Sequence, residues 1–198
     1  MKNMKLVLAK LEDLNNIKDC TLAVSIGCGD ICALESDNTK YVMKAKVYDL
    51  IKKMYDNNIK IWNDYYPNEV FESDINNGNL YLLCEGKIIC GVFAIYEHNC
   101  EELDIKWSDR NAKAFLLNRV GVNVDYLRKG VGRKIISSAV DIAREKGAKY
   151  LRLFVSELNY PAINLYLKCN FKKLNGIHKE KIREDFFLNE YGFELLLE

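Results

Sequence analysis

One stretch in the second half of the chain constrains its fold more than any other. It consists of a mostly apolar run, a basic turn with two glycines, and a long amphipathic segment. The run over residues 114–122 predicts a buried strand. The turn reads Tyr126-Leu127-Arg128-Lys129-Gly130-Val131-Gly132-Arg133. Apolar residues then recur at helical spacing up to Gly147, which predicts a helix that ends at this glycine.

The turn itself predicts a site for a phosphorylated ligand. The first N–H groups of a helix have no partner inside the helix, and together with the helix dipole they favour an anion. Gly130 and Gly132 would let a phosphate come close to the main chain, and basic side chains surround them: Arg128, Lys129, Arg133 and Lys134. An ordinary tight turn with solvated basic side chains is the alternative. A dinucleotide fingerprint does not fit, because Ile135 stands where it needs a third small residue.

The following segment repeats the strand–helix pattern. Residues 150–155 form an apolar run of strand length, and Pro161 suits the first turn of a helix, where its missing N–H costs nothing. One face of that helix would carry Ala162, Leu165, Tyr166 and Cys169. With Asn159 at the strand exit and a closing Phe171, the region over about residues 114–173 resembles the GNAT superfamily of acyl-CoA N-acyltransferases.

This resemblance implies an acetyl-CoA-dependent enzyme and assigns roles to individual residues. Free backbone groups at Val120, Gly121 and Val122 would bond the pantetheine arm of acetyl-CoA, and the Val122 N–H would polarise the thioester carbonyl. The pyrophosphate would lie on the turn, at Arg128, Lys129, Gly130, Val131, Gly132 and Arg133. Asn159 would hold the pantetheine arm. Tyr166 would protonate the departing thiolate, since a phenol with a pKa of about 10 carries its proton at neutral pH.

Two positions depart from the family pattern. Leu127 stands where the family usually has Gln or Arg, so that Arg128 is displaced by one position. Asn170 replaces the usual glycine before the closing phenylalanine, and asparagine is one of the few residues that tolerates a left-handed backbone. Neither change removes a reacting group.

The acceptor site is less well defined. Five aromatic residues could wall it, as in one bacterial branch that the segment from Trp62 resembles: Trp62, Tyr65, Tyr66, Phe71 and Tyr81. A packing role is equally open for each of them. Asp64 and Glu69 could attract a cationic amine. No general base stands out, because Asn118 and Arg119 occupy the positions where the family often has a carboxylate or histidine, and Glu157 reads as a surface charge.

Composition limits the remaining possibilities. The 198 residues carry a net charge of +1, which gives no basic field for nucleic acid, and no apolar run reaches the length of a membrane span. The seven cysteines form no paired framework, so free thiols in a reducing compartment are expected. Cys28 and Cys32 have no second ligand pair, and no metal is predicted. We expect a cytoplasmic monomer or homodimer.

The whole pattern predicts a mixed α/β fold, with a central, largely antiparallel sheet and helices on both faces. We expect one N-acetyltransferase domain over residues 1–198, with a loop or insertion around 25–38. Strands are predicted at 4–9, 79–84, 88–96, 114–122, 150–155, 185–187 and 191–197. Further helices are predicted from near Leu11, over 42–54 and over 70–78.

The expected function is acetyl transfer to a primary amine of a small molecule or peptide. A non-catalytic CoA-binding sensor or interaction domain is the alternative, and a dinucleotide oxidoreductase comes third.

Overall fold

A computed structural model describes residues 4–18, 22–24, 32–34, 68–99, 104–157, 159–183 and 186–197. The strands in these ranges are β1 Met4–Leu8, β2 Leu22–Val24, β3 Cys32–Leu34, β4 Leu80–Glu85, β5 Ile88–His98, β6 Ala114–Asn123, β7 Tyr150–Ser156, β8 Lys172–Lys173, β9 His178–Arg183 and β10 Phe186–Leu196. The helices are α1 Leu14–Lys18, α2 Asn68–Asn76, α3 Val131–Glu145 and α4 Tyr160–Lys168, with 3-10 turns at Leu11–Asp13 and Val124–Tyr126.

The strands form a sheet in the order β1-β4-β5-β6-β7-β10-β8, and β2 and β9 pair with β6 and β10 outside this path. The pairs β1–β4, β4–β5, β2–β6, β7–β10 and β9–β10 are antiparallel. β6 and β7 run parallel, with Ala114 opposite Tyr150. A parallel pair needs a long crossover, which α3 supplies. The predicted fold class, a mixed α/β fold around a largely antiparallel sheet, is confirmed.

The chain divides into two compact units, and the division passes inside β5 and β6. The first unit contains β1 to β4, β5 up to Ala94, and β6 from Arg119 through the turn to Val131. Its core is formed by apolar residues of α1, α2, β4 and β5: Ile17, Phe71, Leu80, Leu82, Val92 and Phe93. Each fully buried side chain of this size contributes about 1.5–3 kcal/mol relative to its exposed state.

The second unit contains β5 from Ile95, β6 up to Asn118, and the chain from Gly132 onward. α3 turns its apolar stripe inward, as its spacing predicts, and ends where Gly147 takes a φ of +73°. The core of this unit is formed by residues of α3, β7, β10 and the segment after α4: Ile135, Ala139, Ala143, Leu151, Leu153, Phe171 and Phe193.

The sequence predicted most of the described elements, but the C-terminal hairpin differs from expectation. The two separate strands predicted at 185–187 and 191–197 were wrong, because the backbone is extended without interruption from Phe186 to Leu196 and forms the single strand β10. β9 was not predicted, since His-Lys-Glu-Lys-Ile-Arg contains a single apolar residue. Pairing with β10 forms this strand. The predicted loop or insertion around 25–38 was wrong at Cys32–Leu34, which forms β3 and pairs with β2, a strand that was not predicted either. The rest of 25–38 and the predicted helix over 42–54 lie outside the described residues.

No helix in the described ranges is both long enough and apolar enough to cross a membrane.

Candidate active site

The basic turn connects β6 to α3 and has an unusual backbone. Arg128 and Gly130 take φ angles of +59° and +79°, in the left-handed region. Glycine adopts this conformation without strain because it has no Cβ. α3 begins directly afterwards at Val131, so its unpaired N–H groups lie at the turn. The predicted strand–turn–helix is therefore present, and its backbone is of the kind that binds phosphate.

A tyrosine connects this turn to the β4–β5 hairpin. The Tyr126 hydroxyl donates a hydrogen bond of 3.0 Å to Oε2 of Glu85. This bond to a carboxylate is the main cause that raises the pKa of Tyr126 to about 12. The Lys129 ammonium lies 5.0 Å from the centroid of the Tyr126 ring. Tyr126 thus stays neutral at physiological pH and holds the turn that carries Lys129.

Gly132 has a packing role that the sequence did not reveal. A Cβ at this position would lie 2.9 Å from Cδ2 of Leu165 in α4. The missing side chain therefore lets α3 and α4 approach each other closely. The expectation that both glycines make room for phosphate is supported by the backbone at Gly130, whereas the space at Gly132 is filled by Leu165.

The strand before the turn is only partly available to a ligand. Gly121 and Val122 stand opposite Val24 and Ala23 in an antiparallel pairing with β2. This edge of β6 is thus occupied by a strand, although the sequence interpretation took the backbone groups of Val120, Gly121 and Val122 as free. A pantetheine arm could bond to the part of this edge that β2 covers, along Gly121–Asn123, only after β2 had separated from it.

The two residues at the usual position of a general base have other partners. The Asn118 amide donates a hydrogen bond of 2.9 Å to the Tyr96 hydroxyl. Arg119 takes a left-handed φ of +51°, and its Nε lies 3.0 Å from Oδ2 of Asp74 in α2. Burial raises the pKa of Asp74, and the Arg119 charge opposes this rise. The side chains of Asn118 and Arg119 are therefore both engaged in structural contacts.

Asn159 is buried at the end of β7 and caps α4. Its Oδ1 accepts a hydrogen bond of 3.1 Å from the Ala162 N–H, and Pro161 lies in the first turn as predicted. The backbone N–H and C=O of Asn159 bond to Ser156 and Ile163, so a bond to pantetheine would have to come from its side chain, whose Oδ1 has a second lone pair beside the one used by the cap.

Tyr166 is buried on the inner face of α4. Its ring centroid lies 5.8 Å from that of Phe171 and 6.2 Å from that of Phe193. Asn170, between α4 and Phe171, takes a φ of +66°, the left-handed conformation that its replacement of glycine permits. These neighbours fix the ring of Tyr166, and thereby the position of its hydroxyl.

Of the predicted acceptor residues, only one side chain can be described besides the core residue Phe71. Tyr81 on β4 stacks on Phe93, with ring centroids 5.5 Å apart and an interplanar angle of 14°. Trp62 and Tyr65 lie outside the described residues, as do Asp64 and Tyr66. Tyr81 thus packs against a core residue, and its place in the wall of an acceptor pocket stays a prediction.

Cysteine and metal chemistry receive no support from the described residues. Cys84, Cys90 and Cys169 are free thiols. Burial raises the pKa of each of them, which lowers the thiolate fraction at neutral pH. In the same ranges, no three His, Cys, Asp or Glu side chains come together in a way that could hold a metal ion.

Sequence reasoning missed a carboxylate on β10. Glu190 stands opposite Ser156 of β7 on one side and His178 of β9 on the other. Burial, and secondarily the charge of Glu180, raises the pKa of Glu190 to about 7. The sequence placed residues 188–190 between two separate strands and predicted no strand at 178–183. No polar–apolar alternation marks this strand as continuous, because three apolar residues, 186–188, are followed by the two polar residues Asn189 and Glu190.

Comparison with known proteins decides the family. A sequence model described as the Acetyltransferase (GNAT) family matches residues 45–171, which is more than half of the chain. The chain belongs to the GNAT acetyltransferase family. The resemblance read from the glycine turn and from Ala162-x-x-Leu165-Tyr166 is thereby confirmed.

Individual relatives of this GNAT protein match shorter stretches or share only the fold. Streptothricin acetyltransferase of Streptomyces lavendulae is 46% identical over 43 residues, which are 22% of this chain and 23% of that enzyme. The chain covers 24% of a second curated relative, the UPF0157 protein YqkA of Bacillus subtilis (strain 168), at 28% identity over 85 residues, 43% of this chain. It thus spans about a quarter of the length of both.

Solved structures resemble the whole chain. A GNAT-family acetyltransferase from Streptococcus agalactiae 2603 has a TM-score of 0.67 and 12% identity, over 100% of this chain and 97% of that one. Arabidopsis thaliana NAA60, solved in complex with acetyl-CoA, has a TM-score of 0.62 and 15% identity, over 98% and 99%. At these identities the likeness establishes the fold.

Proposed function

We propose that this GNAT protein transfers the acetyl group of acetyl-CoA to a primary amine of a small molecule or peptide by direct attack. The observation that carries the proposal is the turn at Gly130, where a left-handed backbone leads directly into the N-terminus of α3. Such a turn binds a phosphate through backbone N–H groups. Acetyl-CoA contains a pyrophosphate, and the neighbour NAA60 was solved in complex with this donor.

In this proposal the residues divide the work between binding and proton transfer. The turn binds the pyrophosphate, with charge from Arg128, Lys129 and Arg133. The pantetheine arm is bound by Val120, Gly121 and Val122 and by the side chain of Asn159. The amine nitrogen attacks the thioester carbon, a C–N bond forms and the C–S bond breaks. Tyr166 then gives its phenolic proton to the sulfur, because a thiol is a better leaving group than a thiolate in a buried site.

The proposal also covers the acceptor, the cellular compartment and the oligomeric state of the protein. The identity with streptothricin acetyltransferase over 43 residues supports a small-molecule amine as acceptor. Trp62, Tyr65 and Tyr81 are proposed to wall its pocket. We further propose that residues 1–198 act as one cytoplasmic acetyltransferase domain, as a monomer or homodimer.

Titration calorimetry with acetyl-CoA, CoA and NAD tests the binding half of the proposal. We expect acetyl-CoA and CoA to bind and NAD not to bind. Gly130→Val should weaken acetyl-CoA binding at least about tenfold, because a β-branched residue does not adopt a φ of +79° and the turn must rearrange.

Gly147→Val is the matched control, since Gly147 has a φ of +73°, and a Cβ there would have no atom within 4 Å. It imposes a similar backbone strain at the other end of α3, so it should reduce stability without reducing affinity. Equal affinities of the wild type and Gly130→Val would exclude the turn as the phosphate site. Tight binding of acetyl-CoA without turnover of any amine would favour the non-catalytic sensor.

A further inference from the structure

Three side chains form a row across the C-terminal half of the sheet. Glu190 lies in the middle, because β10 pairs with β7 through Ser156 and with β9 through His178. Residues directly opposite each other in antiparallel strands project from the same face, with Cβ atoms about 4.5–5.5 Å apart. The Glu190 carboxylate is therefore flanked by a hydroxyl on one side and an imidazole on the other.

This row lies at the end of β7 that leads into α4. Ser156 is the last residue of β7, and its carbonyl accepts a hydrogen bond of 3.0 Å from the Asn159 N–H. The Glu157 N–H donates a bond of 3.0 Å to the Asn189 carbonyl, next to Glu190. Glu190 thus lies beside the short connection between β7 and α4, the helix that carries Tyr166.

Glu190 and Tyr166 reach this end of β7 from opposite faces. Tyr166 packs against Phe193, which is three residues from Glu190 on the same strand. Side chains an odd number of positions apart in a strand project to opposite faces. Glu190 and Tyr166 therefore lie on opposite faces of the sheet, so that the base and the acid would approach the reacting group from different sides.

The surroundings of Glu190 suit a group that must gain and lose a proton near neutral pH. Other titratable or charged groups lie on the same face of the sheet as Glu190, on β9, β7, β10 and β5: His178, Glu180, Arg152, Glu194 and His98. Arg152 and Glu194 form a buried ion pair with Nε and Oε2 3.6 Å apart, so their charges offset each other. Burial and the nearby Glu180 raise the pKa of Glu190 to about 7.

His178 is oriented by its own contacts. Its Nε2 lies 3.3 Å from Oε2 of Glu180, and its ring centroid lies 4.8 Å from that of Phe154. Nδ1 is buried and has no hydrogen-bond partner among the residues that the structure describes. A polar acceptor entering beside Phe154 would therefore meet the imidazole as well as the Glu190 carboxylate.

We propose that Glu190 is the general base of the acetyl transfer, an assignment that rests on the proposed transferase function. The Glu190 carboxylate accepts a proton from the ammonium form of the acceptor. The neutral nitrogen then forms the C–N bond, the C–S bond breaks, and the sulfur receives the Tyr166 proton. The second proton released by the nitrogen restores Tyr166, and the proton on Glu190 passes to solvent, so that one proton leaves for each acetyl group transferred.

Two measurements test this role. The first is the pH dependence of kcat/KM with acetyl-CoA and the best acceptor amine. Only the carboxylate can act as a base, so the wild-type rate should fall as pH drops through about 7. Glu190→Gln should lower kcat by about 10²–10⁴-fold and remove this acid limb, while acetyl-CoA affinity stays unchanged. The second is a ¹³C titration of the glutamate carboxyl groups, with the Glu190 signal identified by its loss in Glu190→Gln.

Two other variants act as controls. Glu180→Gln removes a negative neighbour, so the acid limb and the ¹³C midpoint of Glu190 should both move to lower pH. Glu145→Gln, at the exposed end of α3, should leave the profile unchanged. A Glu190→Gln enzyme that keeps its rate and acid limb, or a Glu190 carboxyl that titrates near 4.5, would overturn the assignment and leave acetyl transfer intact. A wild-type protein that acetylates no amine would overturn both.

Discussion

Several residues in the candidate site combine a structural contact with a proposed chemical role. Asn159 caps α4 through Oδ1, Gly132 admits Leu165, and Tyr166 packs against Phe171 and Phe193. Substitutions at such residues change stability and function together. The most informative variants therefore remove a single reacting atom and leave the packing in place.

Tyr166→Phe is such a variant. It removes the phenolic oxygen and keeps the ring, so kcat should fall by about 10²–10⁴-fold while the affinity for acetyl-CoA stays nearly the same. Tyr160→Phe on the same helix is the control, because Tyr160 is exposed and should tolerate the change. Steady-state kinetics combined with calorimetry separates the two effects. An unchanged kcat would make Tyr166 a packing residue whose proton is supplied by water.

Residue roles that depend on distant partners could not be predicted from the sequence. The glycines, Asn159 and Tyr166 were found because their spacing forms a pattern within the chain. The contact of Gly132 with Leu165 joins residues of two helices, and the environment of Glu190 depends on β7 and β9. Burial produced by such non-local contacts leaves no mark on the local sequence.

At the level of elements, β2 occupies an edge that the proposed cofactor would use. Leu22–Val24 pairs with Gly121–Asn123. A strand of three residues offers few hydrogen bonds, so its separation from β6 is energetically accessible, at about 0.5–1.5 kcal/mol for each bond lost. The backbone groups of Gly121–Asn123 that had paired with β2 could then bond to the amides of pantetheine.

Amide hydrogen exchange tests this displacement. On addition of acetyl-CoA, we expect the amides of residues 22–24 to exchange faster, because they lose β6 as a partner. Residues 121–123 should remain protected, since pantetheine replaces β2. β1, which pairs with β4, is an internal control and should not change. Unchanged exchange at 22–24 in a protein saturated with acetyl-CoA would show that pantetheine binds without displacing β2.

Elements with a strong local pattern were predicted with nearly the observed bounds. α3 has apolar residues at regular helical spacing, β7 is a nearly continuous apolar run, and β4 and β5 are separated by a turn with a left-handed glycine at position 86. β9 is the opposite case, because its polar residues form a strand only through pairing with β10. Tertiary pairing overrides intrinsic β propensity most easily in such polar strands.

At the scale of the whole molecule, family membership and fold agree with the order of motifs in the chain. The family match over residues 45–171 includes the glycine turn and Ala162-x-x-Leu165-Tyr166. The identity of the acceptor amine does not follow from this order, because the segments predicted to wall the acceptor pocket carry no shared motif. The central claim about the molecule is therefore transfer of acetyl to an amine, whichever amine this proves to be.

A radiolabel experiment tests that claim most directly. The wild-type chain is incubated with acetyl-CoA labelled in the acetyl group and with panels of polyamines, aminoglycosides, amino acids and N-terminal peptides, and both CoA release and label in the acceptor are measured. We predict that label appears in at least one amine in equal amount to the CoA released, and that Tyr166→Phe slows both equally. Acetyl-CoA that binds but passes no label to any amine would contradict the transferase account.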